Sequence, residues 1–388
     1  MLRKLFAALA LMLAFTVSIA QADRVLYAAQ GTLTPKQARE AAALLEEVLG
    51  EPFALVMQEE TGESLAHLVM EGSAPALAVV PVQEALPWAR EGMLLTLDGC
   101  VEGFARVAGA LADACVVDEQ LIAAPLFAVH RQMAVRADLM QEAMMGYLLD
   151  RRAHPVWYPS EFVQALDELA MLNEAGMDVW LPEAGEALWL EALLQGVSGM
   201  RLADEETGAY AADADGLNDA LKWLEDMLRA GLIGAAEDRE AALERFLSGE
   251  TAIFPDWTAA ETAAHADAIR EESILLMPYP SLHGSPLRAA ELVALCAFSS
   301  GEEEEDALLE HAVGVLCEAE HASRIFKKRE ILDDGAQWLP LLETLAYGPT
   351  LRALLSRAAG AVITQEAKAA EAAQQVDRAM RTLGAKNK

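Results

Sequence analysis

Gln83 and Glu84 follow directly on the apolar run Ala76–Val80 and its terminal Pro81, so an amide and a carboxylate stand where a buried strand would end. That edge is where open α/β sheets bind ligands. Both groups make hydrogen bonds of the kind a hydroxyl answers; the other reading is a solvated loop. Gln30 follows the apolar run Arg24–Ala29 in the same way. Other chemistries lack their residues. Cys100, Cys115, Cys296 and Cys317 show no C-x-x-C spacing, so neither a zinc knuckle nor a dithiol redox pair is indicated. The seven histidines are scattered, none four residues from another, and give no metal signature. No G-x-S-x-G, H-E-x-x-H or Walker loop occurs. The chain is read as a non-enzyme without cofactor, although 61 acidic residues leave a pair of cleft carboxylates open.

The elements that would position Gln83 and Glu84 alternate between strand and helix. Arg24–Ala29 and Phe53–Met57 are short apolar runs, as in buried parallel strands. Between them, Thr34 and Pro35 read as N-cap and first helical residue, Ala38, Ala41, Ala42, Leu45, Val48 and Leu49 fall at helical spacing, and Gly50 stops the helix. A helix near Glu63–Met70 and the strand Ala76–Val80 complete the unit. This rhythm is that of a parallel sheet with helices on its faces, so the fold class is α/β. Helices dominate later: Ser160–Gly176, Asp215–Gly231, Asp238–Ser248, Leu308–Phe326 and an alanine-rich stretch from Leu351. Strands are expected near Thr251–Phe254, Ile274–Met277 and Leu292–Phe298. The acidic run Glu302–Asp306 reads as a helix start, where negative charge is favourable.

Composition narrows the partners. With 29 basic against 61 acidic residues and a formal net charge of −32 at pH 7, the chain lacks the Lys and Arg clusters that neutralise phosphates, so nucleic acid is excluded as a partner. Met1–Ala22 has the parts of an export signal: Arg3 and Lys4, the apolar Leu5–Val17, and Ala20-Gln21-Ala22 as cleavage site. The apolar run is shorter than the roughly 20 residues that span a bilayer, and no cysteine stands at the cleavage site for lipid attachment. A periplasmic protein is expected, with secretion as the alternative. In such an oxidising compartment the local cysteine pairs Cys100–Cys115 and Cys296–Cys317 are expected, with buried free thiols as the alternative.

In order, the segments resemble the maltose-binding-protein type of extracellular solute-binding protein, the receptor of ABC sugar importers. Ala76–Gly92 (ALAVVPVQEALPWAREG) resembles the family's strand, ligand loop and helix, and Leu94–Asp98 the phrase that follows it. Glu119–Pro125 (EQLIAAP) resembles the crossing segment G-K-x-Y-A-x-P, with Glu119 in place of the usual glycine and Ile122 in place of tyrosine. Val135–Leu139 resembles Y-N-K-D-L and His154–Trp157 resembles P-P-x-T-W. Phe246–Ile253 followed by Trp257 resembles F-x-x-G-x-A-A-M, then glycine and tryptophan; Pro255 replaces that glycine.

The resemblance implies a two-lobed periplasmic-binding-protein fold with crossing hinge strands near Val129–Gln132, Arg288–Glu291 and Phe326–Arg329. The first lobe would comprise residues 23–128 and 292–325, the second 132–288 and 329–388. It implies a carbohydrate bound in an interlobe cleft, aromatic plates against sugar faces and polar groups at their edges. Trp257 matches a tryptophan that stacks on a sugar ring in the family; a core tryptophan is the alternative. Trp189 and Tyr347 fall near positions bearing aromatics, and His130 and Arg131 lie on the first crossing, facing cleft or solvent. Gly348 stands where the family's last stacking tryptophan would be, which implies a smaller or different solute and weakens a specific claim of maltose. A membrane permease of an ABC importer is the implied partner and a monomer the implied state. A sensor for a receptor kinase and a glycoside hydrolase are the rival uses.

Overall fold

A computed structural model describes residues 24–29, 32–98, 115–150, 152–181, 188–202, 214–326, 337–338 and 348–386. The export segment, Gln30, Cys100 and Tyr347 lie outside the described residues. In chain order the strands are β1 (Arg24–Ala28), β2 (Phe53–Met57), β3 (Leu77–Pro81), β4 (Val116–Val117), β5 (Gln120–Leu121) and β6 (Ala124–Arg136). There follow β7 (Met177–Val179), β8 (Ile233–Ala235), β9 (Ile253–Trp257), β10 (Ile274–Met277), β11 (Leu287–Ala297) and β12 (Gln337–Trp338). The chain divides into two compact units, Met1–Ala128 with Glu291–Ile331, and Val129–Ala290 with Leu332–Lys388. β6 and β11 each carry the chain from one unit to the other.

In the first unit β2, β1 and β3 are parallel, and β11 joins β3 antiparallel with Val293 opposite Pro81. All five residues of β3 are buried, which is why its sequence is an unbroken apolar run. The helix Pro35–Leu49 starts with a full capping box: the Thr34 hydroxyl oxygen accepts from the Gln37 amide while Gln37 Oε1 accepts from the Thr34 amide. Gly50 ends it at φ 72°, the left-handed conformation that glycine adopts without a Cβ clash. Arg24 grips Glu305 through two 2.6 Å bonds, tying β1 to the helix Glu303–Cys317, and Asp306 takes the Ser299 hydroxyl and the Ser300 amide at 2.7 Å. The acidic run is thus a helix start. β4 and β5 turn through Asp118 and Glu119, both at positive φ (50° and 66°), so Glu119 occupies a conformation suited to the glycine that the resemblance expects there.

In the second unit the order is β10, β6, β9, β7, β8, with β9, β7 and β8 parallel and β6 antiparallel to both its neighbours. The helix Ala214–Arg229 packs on Gly348–Ile363 and Ala369–Lys386, burying Leu217, Ala220, Leu221 and Leu224 as its apolar spacing requires. No helix among the described residues is long and apolar enough to cross a membrane.

Several expectations change. The run Leu308–Phe326 is two helices, Glu303–Cys317 and Ala319–Ile325, because Glu318 leaves helical geometry at φ −55°, ψ 136°. The helix expected to reach Gly176 ends at Ala170, and the strand expected at Thr251–Phe254 is shifted to Ile253–Trp257. No Cys296–Cys317 bridge forms: Cys296 is a buried free thiol whose Sγ donates to the Ala78 carbonyl of β3 at 3.6 Å. Cys115 is likewise a buried free thiol, and burial pushes both thiols up to about 12.

Candidate functional site

The first unit brings Gln83 and Glu84 to the edge where β1 and β3 end. β3 runs straight into the helix Val82–Arg90, so both residues fall in that helix's first turn. β11 pairs with β3 up to Val293 opposite Pro81, and just beyond that pair Gln83 Nε2 donates to Glu291 Oε1 at 2.6 Å. Burial, and then the Glu291 charge, push the Glu84 carboxyl up to about 7. Glu84 in turn adds to the burial that pushes Tyr27 up to about 12. The Tyr27 hydroxyl lies 3.1 Å from Gln58 Oε1 and 3.2 Å from the Glu63 carbonyl oxygen. One edge of this sheet therefore carries two carboxylates, two amides and a phenol. A carboxyl near 7 both donates and accepts at neutral pH, which suits a partner rich in hydroxyls.

The second unit packs the aromatic candidates Trp257 and Trp189 together. Trp257 is 0% exposed; its indole N–H donates to Thr262 Oγ1 at 3.0 Å, and Phe246 and Phe254 meet its ring edge-on at 5.8 and 6.4 Å. Trp189, also 0% exposed, lies 4.5 Å from the ring of Trp180, which stacks on Phe254 at 5.6 Å. Both Trp257 and Trp189, named above as ligand-binding candidates, are members of one buried aromatic cluster. The cause is tertiary: Trp180 just beyond β7, Phe254 and Trp257 of β9, and Trp189 and Phe246 from two helices converge.

Beside that cluster lies a charged group of which the sequence reading named Arg131 alone. Arg131, on β6, donates through Nη1 to Asp256 Oδ1 at 2.7 Å, and Arg239 donates through Nε to Asp256 Oδ2 at 2.7 Å. Arg239 also reaches the Asp256 carbonyl at 2.8 Å and Glu261 at 3.0 Å, with the Phe254 ring beneath its guanidinium. Burial opposes the Arg239 charge, but the two carboxylates outweigh it and hold the group above its ordinary value. Because Arg131 faces Asp256, the neighbouring His130 projects from the opposite face of the strand, half-buried. Among the described residues no group of three or more His, Cys, Asp or Glu is placed to hold a metal ion.

The geometry is that of a polar, acid-rich strand edge in one unit and an aromatic cluster flanked by ion pairs in the other. Residues 56–307 match the family of bacterial extracellular solute-binding proteins. This chain belongs to that family. Among curated proteins none matches the solute-binding chain. Solved structures do. The GacH receptor of Streptomyces glaucescens GLA.O, solved unliganded and with acarbose, is 16% identical with a TM-score of 0.69, over 93% of this chain and 98% of that one. The maltose-maltodextrin binding protein of Alicyclobacillus acidocaldarius is 14% identical with a TM-score of 0.68, over 92% and 99%. A solute-binding protein of Thermotoga lettingae TMO with bound α-D-tagatose is 15% identical with a TM-score of 0.68, over 92% and 98%. The fold is thus the two-lobed periplasmic-binding-protein fold.

Two residues of the solute-binding chain carried usable signals. Asp256 is a lone charge inside the apolar segment AIFPDW, and Glu291 heads the apolar run LVALCAF. A charge embedded in a buried strand needs a partner, which marks both. Gly348 opens the helix Gly348–Ile363 and brings no side chain to any site.

Proposed function

We propose that this solute-binding protein takes up a carbohydrate, a mono- or oligosaccharide, and delivers it to the permease of an ABC importer. The family match over residues 56–307 carries the reading, and the structural relatives add the ligand class: those named above were solved as binders of acarbose, maltodextrin or tagatose. Gln83 and Glu84 supply hydrogen bonds to sugar hydroxyls, and Gln30, Tyr347 and His130 are further candidates for contact. The buried aromatic cluster stiffens the second unit behind its strand edge rather than stacking on the solute. Export with cleavage after Ala22, a monomeric state and the absence of catalysis belong to the same reading.

A thermal-shift screen of neutral sugars, polyols, peptides and phosphate esters tests it. A neutral mono- or oligosaccharide is expected to raise Tm. Stabilisation by a peptide or phosphate ester, with every carbohydrate inert, overturns the reading.

A further inference from the structure

β9 and β6 fall out of step at one place. Gln132 pairs with Trp257 while Ala134 pairs with Phe254, so β9 carries an extra residue, at Pro255–Asp256, opposite Met133. A bulge of this kind bends the strand and re-aims a side chain, and a proline, having no N–H for the ladder, is at home there. The Tyr279 hydroxyl donates to the Pro255 carbonyl at 2.8 Å and pins the bulge from outside the ladder.

The re-aimed side chain is Asp256, 0% exposed, with one carboxylate oxygen on Arg131 and the other on Arg239. The two arginines do not stand in the same place. Arg239 belongs to the helix Arg239–Ser248 and has Glu261, the Asp256 carbonyl and the Phe254 ring as additional supports. Arg131 is 13% exposed and sits three residues beyond Ala128, where β6 enters the second unit. Buried ion pairs add little stability over apolar packing and are often bettered by it. A pair at this point serves geometry.

We propose that Asp256 is a positioning residue: turned by the β9 bulge, it holds the Arg131 guanidinium and thereby fixes the second-unit end of the crossing strand β6 in the arrangement that solute binding requires. The proposal rests on the solute-binding reading for its affinity consequence and on the bulge and ion pairs for its mechanical one. Arg239 supports Asp256 but does not reach the crossing strand, so losing Arg239 leaves the anchor in place.

Hydrogen exchange and binding measurements on the full chain separate these roles. Asp256→Asn is expected to speed amide exchange of Val129–Gln132 at least tenfold. It is also expected to raise at least tenfold the Kd for the tightest binder among maltose, maltotriose, laminaribiose and D-tagatose. Arg239→Gln is expected to lower Tm comparably while leaving both quantities within twofold of wild type. Should Asp256→Asn not fold, Arg131→Gln removes the anchored group from the less buried side and is expected to behave as Asp256→Asn does. The proposal is overturned if these anchor variants leave exchange and Kd unchanged, or if Arg239→Gln shifts both alongside them. If wild type binds none of the sugars, the carbohydrate reading falls, and the exchange comparison alone decides the anchor.

Discussion

Glu84 is the residue whose environment makes the sharpest prediction. Its carboxyl is pushed up to about 7 by burial first and the Glu291 charge second, so the folded protein favours its neutral form. The stability it contributes is complete below the ordinary carboxylate value of 4.5 and is lost as pH rises through about 7. Glu84→Gln keeps a neutral, hydrogen-bonding group and removes that loss. Tm of the variant relative to wild type is therefore expected to rise between pH 4.5 and 8 and then level off; a difference independent of pH contradicts the assignment. At Gly196 the constraint is steric: a Cβ there would come within 2.1 Å of the Pro280 carbonyl oxygen, a backbone atom that cannot swing aside. Gly196→Ala is expected to cost about 1–3 kcal/mol, as overpacking does, measured by urea unfolding.

Between elements, Arg352 and Glu191 join the helix Gly348–Ile363 to Leu188–Ser198 through a 3.0 Å pair whose side chains are 3% and 2% exposed. Removing one partner strands a buried charge. Arg352→Met alone is expected to destabilise by about 3–5 kcal/mol, and the double change with Glu191→Leu to recover most of that. Equal losses in single and double variants would show that the pair does not act as a unit. Element starts were readable where chemistry marks them. Thr34-Pro35 caps the helix that ends at Gly50, and Arg24–Ala28, Phe53–Met57 and Leu77–Pro81 are apolar as buried parallel strands must be. Glu318 breaks the helix with no proline nearby, and Gly314 lies within the helix rather than at the break, so nothing local announces it. The β9 bulge shows in the sequence only as Pro255 standing where the family has glycine, because register depends on β6, more than a hundred residues away.

Across the whole molecule, the alternation of strand and helix made the α/β class legible, and the ordered phrases from Ala76 to Trp257 made the family legible. Gln83 and Glu84 lie at a strand end that local pattern locates, and the structure sets them beside Glu291. The burial of Trp189 and Trp257 was not legible, because a tryptophan's exposure is decided by partners such as Trp180 and Phe254, which no local signal places against it. The central claim, that a sugar is the solute, is tested most directly by isothermal titration calorimetry of the purified full chain with the stabilising carbohydrate. The account predicts saturable one-to-one binding with a Kd of about 1 μM order, about −8 kcal/mol, weakened by Gln83→Ala. Absence of heat with every carbohydrate, alongside saturation by a peptide or a phosphate ester, would contradict it.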